Sequence, residues 1–478
     1  MKPNECGVSE MNLESAHPSF QRILREFFNV GGRSILIKGE PGTGKSIFAL
    51  EIARMMSDFA RVYYISTRVS PERLFRFHPW VRDFLQPEAL VDAERAPNIV
   101  DARKRFQKRD KISELVISIK YEDRPSFIKA LFELIEATED RRKVLMIIDS
   151  IDAVEKIVGT SVKDDLVRIL EDVELYLIIV TERDDISEID FLVDGIIELR
   201  RELIGEHLIR KLIFLKMRGV EVEQTAYLFT LNGGRFNIPP PLTSEFLGKR
   251  ELFEPVGDSD DFFSSGSESL DGIFGGFPKG SSILLEVSEG VTRRMYYRLI
   301  DSFVMNFLRN GRKVYVIPSV GTDKRDVLRG LSPSLREGEL ENLIFSDREW
   351  GRERLRGEEA EEEAEMIFEL LMKERSESYE DLHVTGVDSI YSRYEKEALR
   401  VIEQMEIFIR ESRGLGIFIA KPGCPIPREL SNLSDFHIKM ENVCGVPVIR
   451  GVKPKTQYYA MLVDLSEGFP RLRFEKIE

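Results

Sequence analysis

Apolar runs of strand length alternate with amphipathic segments of helix length along most of the chain. Ser34 to Lys38 and Val144 to Ile148 are mostly apolar runs, as expected for strands buried on both faces of a sheet. Phe127 to Ile135 has the apolar spacing of a helix with one buried face, and the apolar stripe from Ala360 to Leu371 is similar. This alternation predicts an α/β fold with a mainly parallel sheet covered by helices on both faces.

The same pattern occurs twice in the chain. Three landmarks recur in the same order: Ser34 to Lys38 with Ser282 to Glu286, Val144 to Ile151 with Val384 to Ile390, and Arg218 to Val220 with Arg450 to Val452. After the last pair a tyrosine follows at the same offset, Tyr227 in the first half and Tyr459 in the second. A shared order of three landmarks predicts two tandem domains of one architecture.

The length of the chain agrees with two domains. A chain of 478 residues is too long for one hydrophobic core. The run Pro239 to Pro241 and the polar, acidic stretch that ends near Asp261 have the composition of a linker. We therefore predict a first domain over 1–238, a linker over 239–261 and a second domain over 262–478.

The first half contains a complete phosphate-binding motif, G-x-x-x-x-G-K-S, between a predicted strand and a predicted helix. Its glycines let backbone N–H groups point at anionic oxygens, and the helix presents its positive end to the same anion. Lys45 would reach the β- and γ-phosphates, whereas Ser46 and Asp149 would bind magnesium. The sequence therefore predicts a site for ATP with Mg²⁺. The predicted binding residues are Gly39, Glu40, Pro41, Gly42, Thr43, Gly44, Lys45, Ser46 and Ile47.

The overall charge argues against a general nucleic-acid-binding protein. The formal net charge is −14, whereas nonspecific affinity for nucleic acid comes mostly from cations that neutralise phosphates. Residues 103–111 contain six cations and could contact nucleic acid or an acidic protein surface, although most such runs are solvated helix faces. The acidic run 358–365 is expected to be the solvent face of a helix.

Cysteine usage and hydropathy predict a cytoplasmic protein without a membrane segment. Cys6, Cys424 and Cys444 have no metal-type spacing and are expected to be reduced thiols. The first 17 residues lack the features of a secretory signal. No apolar stretch approaches the roughly 20 residues that a bilayer-spanning helix needs.

The motifs together resemble a known family, the RecA-like ATPases of the KaiC type. The phosphate loop reads G-E-P-G-T-G-K-S, Asp149 is followed by Ser150, and Lys216 to Gly219 reads K-M-R-G. The segment from Ser265 to Ser281 is similar to the entry of a second KaiC-type domain. Within this superfamily, Tyr64 to Glu72 most resembles the archaeal gas-vesicle regulators of the GvpD family.

The resemblance implies two tandem RecA-like domains in a protein that assembles into a ring, with six subunits as one candidate size. In KaiC-type rings the K-x-R-G strand of one subunit faces the ATP of its neighbour. Lys216 and Arg218 would then be catalytic contacts in trans, beside Lys45 in the loop itself. The GvpD resemblance further implies control of gene expression through a regulatory protein partner.

The catalytic base of the family is missing at its usual position. KaiC-type enzymes carry two glutamates after the strand that ends here at Ser66, but this chain has Arg68 and Val69 there. A guanidinium cannot accept a proton from water. Slow or absent ATP hydrolysis is therefore expected, with the substitutes for the base left open. They are Glu40, Glu72 and Asp152.

The second half has lost more of the motif. Val287 to Arg294 stands in register with the phosphate loop, but the first glycine, the lysine and the magnesium-binding hydroxyl are replaced. Arg450 is predicted to match Arg218, with Val448 in place of the partner lysine. We expect this domain to bind no nucleotide and to serve as a structural or partner-binding domain.

Three functions stay open on the sequence. The first is an ATP-binding regulator that acts through protein partners. The second is a DNA-dependent motor or recombinase, against which the missing glutamate and the acidic net charge count. The third is a structural ring in which ATP only stabilises the contacts between subunits.

Overall fold

The computed structural model describes most of the chain and divides it into two compact units. One unit ends at Pro240 and the other begins at Pro241. The described residues are 18–58, 60–66, 71–84, 91–92, 115–118, 144–158, 166, 175–183, 185–242, 251–346 and 380–477. Several predicted features fall outside them. These are Cys6, Arg68, Val69, the basic run 103–111, the helix 127–135, the apolar stripe 360–371 and the acidic run 358–365.

The first unit is a sheet covered by helices. Its described helices are α1 (Pro18–Phe28), α2 (Lys45–Met56), α3 (Pro71–Phe77), α4 (Ile151–Val158) and α5 (Glu188–Leu192). Its described strands are β1 (Ser34–Lys38), β2 (Arg61–Ser66), β3 (Val91–Asp92), β4 (Leu115–Ser118), β5 (Val144–Asp149), β6 (Tyr176–Val180), β7 (Gly195–Ile204), β8 (His207–Met217) and β9 (Ala226–Phe229). These strands lie in the order β3-β4-β2-β5-β6-β1-β7-β8-β9.

Strand β1 lies deep in this sheet. It pairs in parallel with β6 on one side and β7 on the other, and all five of its residues are buried. Helix α1 contributes apolar side chains spaced by three and four residues, and Pro18 starts its first turn, where no N–H donor is required. The strands from β3 to β7 pair in parallel, whereas β7, β8 and β9 pair antiparallel.

The second unit repeats this arrangement. Its described helices are α6 (Glu268–Phe274), α7 (Arg293–Arg309), α8 (Lys324–Leu331), α9 (Glu337–Leu340), α10 (Val387–Tyr394), α11 (Ala398–Glu411) and α12 (Pro427–Leu433). Its described strands are β10 (Phe262–Phe263), β11 (Phe277–Pro278), β12 (Ser281–Val287), β13 (Val314–Ile317), β14 (Leu343–Phe345), β15 (Leu382–Gly386), β16 (Leu415–Ala420), β17 (Phe436–Val443), β18 (Val446–Lys453), β19 (Tyr458–Asp464) and β20 (Arg471–Lys476). The main sheet has the order β14-β13-β15-β16-β12-β17-β18-β19-β20.

The two sheets match strand for strand from β4 to β9 and from β14 to β19. Ser34 and Ser282 fix the alignment, because the backbone N–H of each donates to a carboxylate just before the neighbouring strand. The acceptors are Asp194 at 3.2 Å and Asp435 at 3.0 Å. The predicted α/β fold and the tandem repeat are thus confirmed.

Part of the predicted linker belongs to the second unit. Phe253 is fully buried in the core of that unit, and the Glu251 backbone N–H donates to the Gly468 carbonyl at 3.0 Å. The Val256 N–H donates to the Asn306 side chain at 2.8 Å. The polar composition of 239–261 hid these few anchoring residues. Among the described residues, no helix is long and apolar enough to cross a membrane.

Candidate nucleotide-binding site

The phosphate loop joins the carboxyl end of β1 to the start of α2. Gly39, Gly42 and Gly44 all have positive φ angles, of 144°, 80° and 102°. A Cβ atom at Gly39 would lie only 2.3 Å from the carbonyl oxygen of Leu199 on β7. Only glycine fits there, because neither the backbone angle nor the space admits a side chain.

Lys45 begins α2 and turns its side chain back into the loop. It is 7% exposed, and its Nζ donates to the carbonyls of Gly39 at 2.5 Å and Glu40 at 2.8 Å. The Thr43 hydroxyl donates to the same Glu40 carbonyl at 2.9 Å. The loop is therefore closed around a buried ammonium at the positive end of a helix, an arrangement that suits polyphosphate.

Ser46 and Asp149 meet beside the loop through a third residue, Tyr64. The Tyr64 phenol on β2 donates to Asp149 Oδ2 at 2.5 Å at the end of the adjacent strand β5. Burial and the Asp149 carboxylate raise the pKa of Tyr64 well above its usual value, and a hydrogen bond with Ser46 acts in the opposite direction. A hydroxyl and a carboxylate are oxygen ligands that Mg²⁺ prefers, so this donor set fits the predicted metal.

The sequence contained only a weak signal for Tyr64. A buried phenol needs a hydrogen-bond partner, and a tyrosine near the end of a buried strand could have been matched with a carboxylate on the strand beside it. That match requires knowing that β2 and β5 are neighbours.

The other predicted loop residues lie at the same place. Glu40 and Pro41 are exposed at the tip, and Ile47 packs against the core from the first turn of α2. Glu40 forms an ion pair with Arg201 of β7, with 3.3 Å between Oε2 and Nη2.

Lys216 and Arg218 lie nearer the amino end of β7 than the loop does. Lys216 pairs with Ile196, near the amino end of β7, whereas the loop follows the carboxyl end of β1. Lys216 Nζ donates to the carbonyl of Asp190 at 2.8 Å, and Arg218 donates to that of Phe191 at 3.0 Å. Burial, and then the neighbouring Arg218, lower the pKa of Lys216. In their own chain both cations are therefore hydrogen-bonded to the segment just before β7 rather than to the loop.

Asp152, one candidate base, is bound to the segment after β6. Its Oδ2 accepts from the Thr181 hydroxyl at 2.9 Å and from the Glu182 N–H at 2.7 Å, and its Oδ1 lies 3.0 Å from Arg183 Nε. These contacts occupy both carboxylate oxygens. For Glu72, the described structure extends only to its backbone in α3.

The loop of the second unit keeps the turn but not the chemistry. Gly290 has a φ angle of 81°, close to that of Gly42, and α7 begins at Arg293 as α2 begins at Lys45. Arg293 turns away from the loop. Its Nη1 donates to the Gly321 carbonyl at 2.8 Å and lies 2.8 Å from Asp326 Oδ2.

The sequence repeat matches Asp149-Ser150-Ile151 with Asp388-Ser389-Ile390, but in the structure this match is displaced by two positions. In the register that aligns the two sheets, the residue level with Asp149 is Gly386, not Asp388. A Cβ atom at Gly386 would lie 2.5 Å from the Cα of Ser319. The second unit thus has no room for any side chain where the first has the Asp149 carboxylate.

The predicted counterpart of Arg218 is also wrong. The residue level with Lys216 is Lys453, and Arg450 lies inside β18, paired with Lys439 of β17. Its guanidinium lies 5.6 Å from the centre of the Tyr458 ring. Contrary to the prediction from the sequence, Val448 is therefore not the equivalent of Lys216.

Loop length explains this error. Eight residues, 218–225, connect β8 to β9, whereas only four, 454–457, connect β18 to β19. The number of residues from the Arg-Gly-Val triplet to the tyrosine is the same in both halves. Because the loops differ in length, the two triplets nevertheless lie at different positions in their sheets. Tyr227 and Tyr459 themselves do occupy equivalent positions, opposite Leu212 and Ile449.

Sequence comparison agrees with this geometry. Residues 24–214 match the family model of the GvpD gas vesicle protein P-loop domain. The first unit thus contains a P-loop domain of the GvpD type, and the chain as a whole is similar to RecA-like proteins of the KaiC and GvpD type. Protein GvpD2 of Halobacterium salinarum is 25% identical over 95% of each chain.

Two further relatives match over shorter spans. Protein GvpD1 of Halobacterium salinarum is 26% identical over 71% of this chain and 63% of its own length. The circadian clock oscillator protein KaiC of Acaryochloris marina is 26% identical over 59% of this chain and 52% of its own. A P-loop of this family implies nucleotide binding, and the family model covers the loop, Tyr64 and Asp149.

Proposed function

We propose that the first unit binds Mg-ATP through residues 39–47, with Ser46 and Asp149 as the magnesium ligands. The observation that supports this most is the convergence of a buried Lys45, Ser46 and Asp149 around one glycine-built loop. When bound, the metal would neutralise phosphate charge, while Lys45 and the loop N–H groups orient the phosphates.

The nucleotide site lies at an interface between copies of this chain. Lys216 and Arg218 bind carbonyls of the segment before β7 rather than their own loop, which supports a role at the nucleotide of a neighbouring copy. Two large apolar side chains beside them are exposed, Phe191 and Leu215. An exposed apolar rim beside cations supports a protein interface rather than a solvated edge.

ATP is hydrolysed slowly or not at all, and the protein acts through protein partners in the control of gene expression. The occupied carboxylate of Asp152 supports the first part, as does Arg68 at the position where the family has its base. The regulatory role rests on the likeness to the GvpD proteins. DNA-stimulated, rapid turnover would favour the rival motor function instead. An ATP requirement for assembly without any partner would favour the structural ring.

Replacing Lys45 tests the binding proposal. Lys45→Ala should remove most of the affinity for Mg-ATP, because the phosphates lose the buried cation of the loop. Arg293→Ala is the matched control at the start of α7 and should leave the affinity unchanged. Isothermal titration calorimetry measures the affinity of both variants for Mg-ATP. Equal affinities of the two would refute the assignment of a single site to the first unit.

A further inference from the structure

A second cation lies over the phosphate loop of the same chain. Arg201 of β7 places Nη2 at 3.3 Å from Glu40 Oε2, and its Nη1 lies 3.5 Å from where a Cβ of Gly42 would be. The side chain is 33% exposed, so a ligand in the loop can reach it. Neither the phosphate-loop motif nor the K-x-R-G strand includes this residue.

The second unit, whose loop lacks the lysine, has a different residue at the position equivalent to Arg201. The residue level with Arg201 is Asn442 of β17, and its Nδ2 donates to the Gly290 carbonyl at 2.8 Å. A neutral amide there simply ties down the turn. The arginine occurs in the unit whose loop retains Lys45.

We propose that Arg201 binds the terminal phosphate of a nucleoside triphosphate held by its own loop, replacing Glu40 as its partner. This inference rests on the proposed function and adds a contact in cis to the trans contacts of Lys216 and Arg218. The exchange costs little, because the Glu40 carboxylate is 64% exposed and ion pairs between exposed groups contribute little to stability. A guanidinium binds phosphate through two parallel hydrogen bonds.

The neighbouring arginine supplies a matched control. Arg200 precedes Arg201 on β7, so its side chain points to the opposite face of the strand, where Nε lies 2.6 Å from Glu198 Oε1. Both residues are exposed or partly exposed arginines in one strand, so they differ chiefly in their distance from the loop.

Calorimetry with a non-hydrolysable ATP analogue and with ADP, each with Mg²⁺, tests the proposal. Arg201→Ala should raise the Kd of the analogue about tenfold, the size of one charge-assisted hydrogen bond. The Kd of ADP should change much less. Arg200→Ala should leave both values unchanged, and Arg201→Lys, which keeps the charge without the paired geometry, should fall between.

The outcomes separate this contact from the binding site itself. Suppose that Lys45→Ala abolishes binding, whereas Arg201→Ala binds the analogue with the same Kd as Arg200→Ala. Arg201 then makes no contact with the terminal phosphate, and only this inference fails. An equal loss for ADP and the analogue would overturn the assignment to the terminal phosphate. If Lys45→Ala binds normally, the proposed function fails first. Thermal unfolding of each variant checks that the fold is intact.

Discussion

The phenol of Tyr64 joins the two side chains that would hold magnesium. Its hydroxyl donates to Asp149 and also interacts with Ser46, although the three residues come from β2, β5 and α2. One buried hydroxyl thus fixes the orientation of a carboxylate and a serine before any ligand arrives. The same hydrogen bond occupies an oxygen of Asp149, so a metal bound there would have to share that carboxylate with the phenol or displace the phenol.

Replacing this phenol should separate its structural role from its effect on the metal. Tyr64→Phe removes one hydrogen bond to a partly buried carboxylate, which costs about 1 kcal/mol of unfolding free energy. For a unit of this size the melting temperature should fall by roughly 2–4 °C. If magnesium has to displace the phenol from Asp149, the Mg²⁺ concentration needed for ATP binding should also fall, by about fivefold.

Tyr63→Phe is the control for this experiment. Tyr63 is the buried neighbour of Tyr64 on the opposite face of β2, so its replacement should not change the Mg²⁺ dependence. If Tyr64→Phe needs the same Mg²⁺ concentration for half-maximal ATP binding as the wild type, the phenol and the metal bind Asp149 together. The proposal that magnesium displaces the phenol would then be wrong.

Motif residues could be predicted from the sequence, whereas residues that reach the site across the sheet could not. Lys45 and Ser46 belong to one contiguous pattern whose chemistry fixes its spacing. Tyr64 and Arg201 reach the site only because β2 lies beside β5 and β7 beside β1. Strand order is a property of the folded chain, and no local pattern in β2 or β7 encodes it.

At the scale of elements, strand β12 carries the opposite charge from its counterpart β1. Lys38 ends β1 and forms a buried ion pair with Asp190. Glu286 stands at the same level of β12, where its carboxylate is 2.9 Å from His437 Nε2 and 3.2 Å from Lys439 Nζ. Both units therefore have a charged contact at this point of the sheet, but the strand residue is a cation in the first unit and an anion in the second.

This contact makes the second unit sensitive to acid. The hydrogen bond from His437, aided by Lys439, lowers the pKa of Glu286 to about 2, against the opposing effect of burial. Because the folded value is below the ordinary 4.5, the contribution to stability is complete above that pH and is lost as pH falls toward 2. Glu286→Gln should cost about 1–3 kcal/mol at pH 7.

Urea unfolding of wild type and Glu286→Gln at pH 7, 5 and 3 checks this. The difference in unfolding free energy should be similar at pH 7 and 5 and smaller at pH 3. Glu289→Gln, on the exposed part of the loop that follows β12, is the matched control and should show little difference at any of the three. A difference for Glu286→Gln that does not depend on pH would show that the carboxylate charge is not what stabilises the sheet.

The register of strands β8 and β18 shows the limit of sequence repeats at this scale. The repeat correctly predicted the sheet, its parallel part and the match of Tyr227 with Tyr459. It failed for Arg218 and Arg450 because the loops that follow the two strands differ by four residues. Loop length can change without disturbing a buried sheet, so spacing across a loop does not carry register.

At the scale of the whole molecule, one chain does not bring its two sets of cations together. Lys45 lies at the carboxyl edge of the first sheet, and Lys216 and Arg218 lie near its amino edge. At about 3.3 Å per residue, the three residues from Ile196 to Leu199 separate these levels by roughly 10 Å along β7. This separation favours the proposal that a site using both sets forms between two copies of the chain.

A mixture of two inactive variants tests this proposal. Lys45→Ala chains keep Arg218, and Arg218→Ala chains keep the loop, so a mixed assembly contains some interfaces that are intact on both sides. Arginine contacts of this type are worth about a thousandfold or more in rate, so even a minority of intact interfaces should restore measurable ATP turnover above either variant alone. Radiolabelled ATP makes slow turnover measurable.

The decisive control is a mixture that can form no complete interface. Arg218→Ala chains mixed with Lys45→Ala/Arg218→Ala chains have loops but no arginine to face them, so turnover should stay at the level of Arg218→Ala alone. Native mass spectrometry of the mixtures confirms that subunits have exchanged. If Lys45→Ala and Arg218→Ala chains exchange fully and turnover still does not rise at any ratio, Arg218 does not act across an interface, and its hydrogen bond to Phe191 is then purely structural.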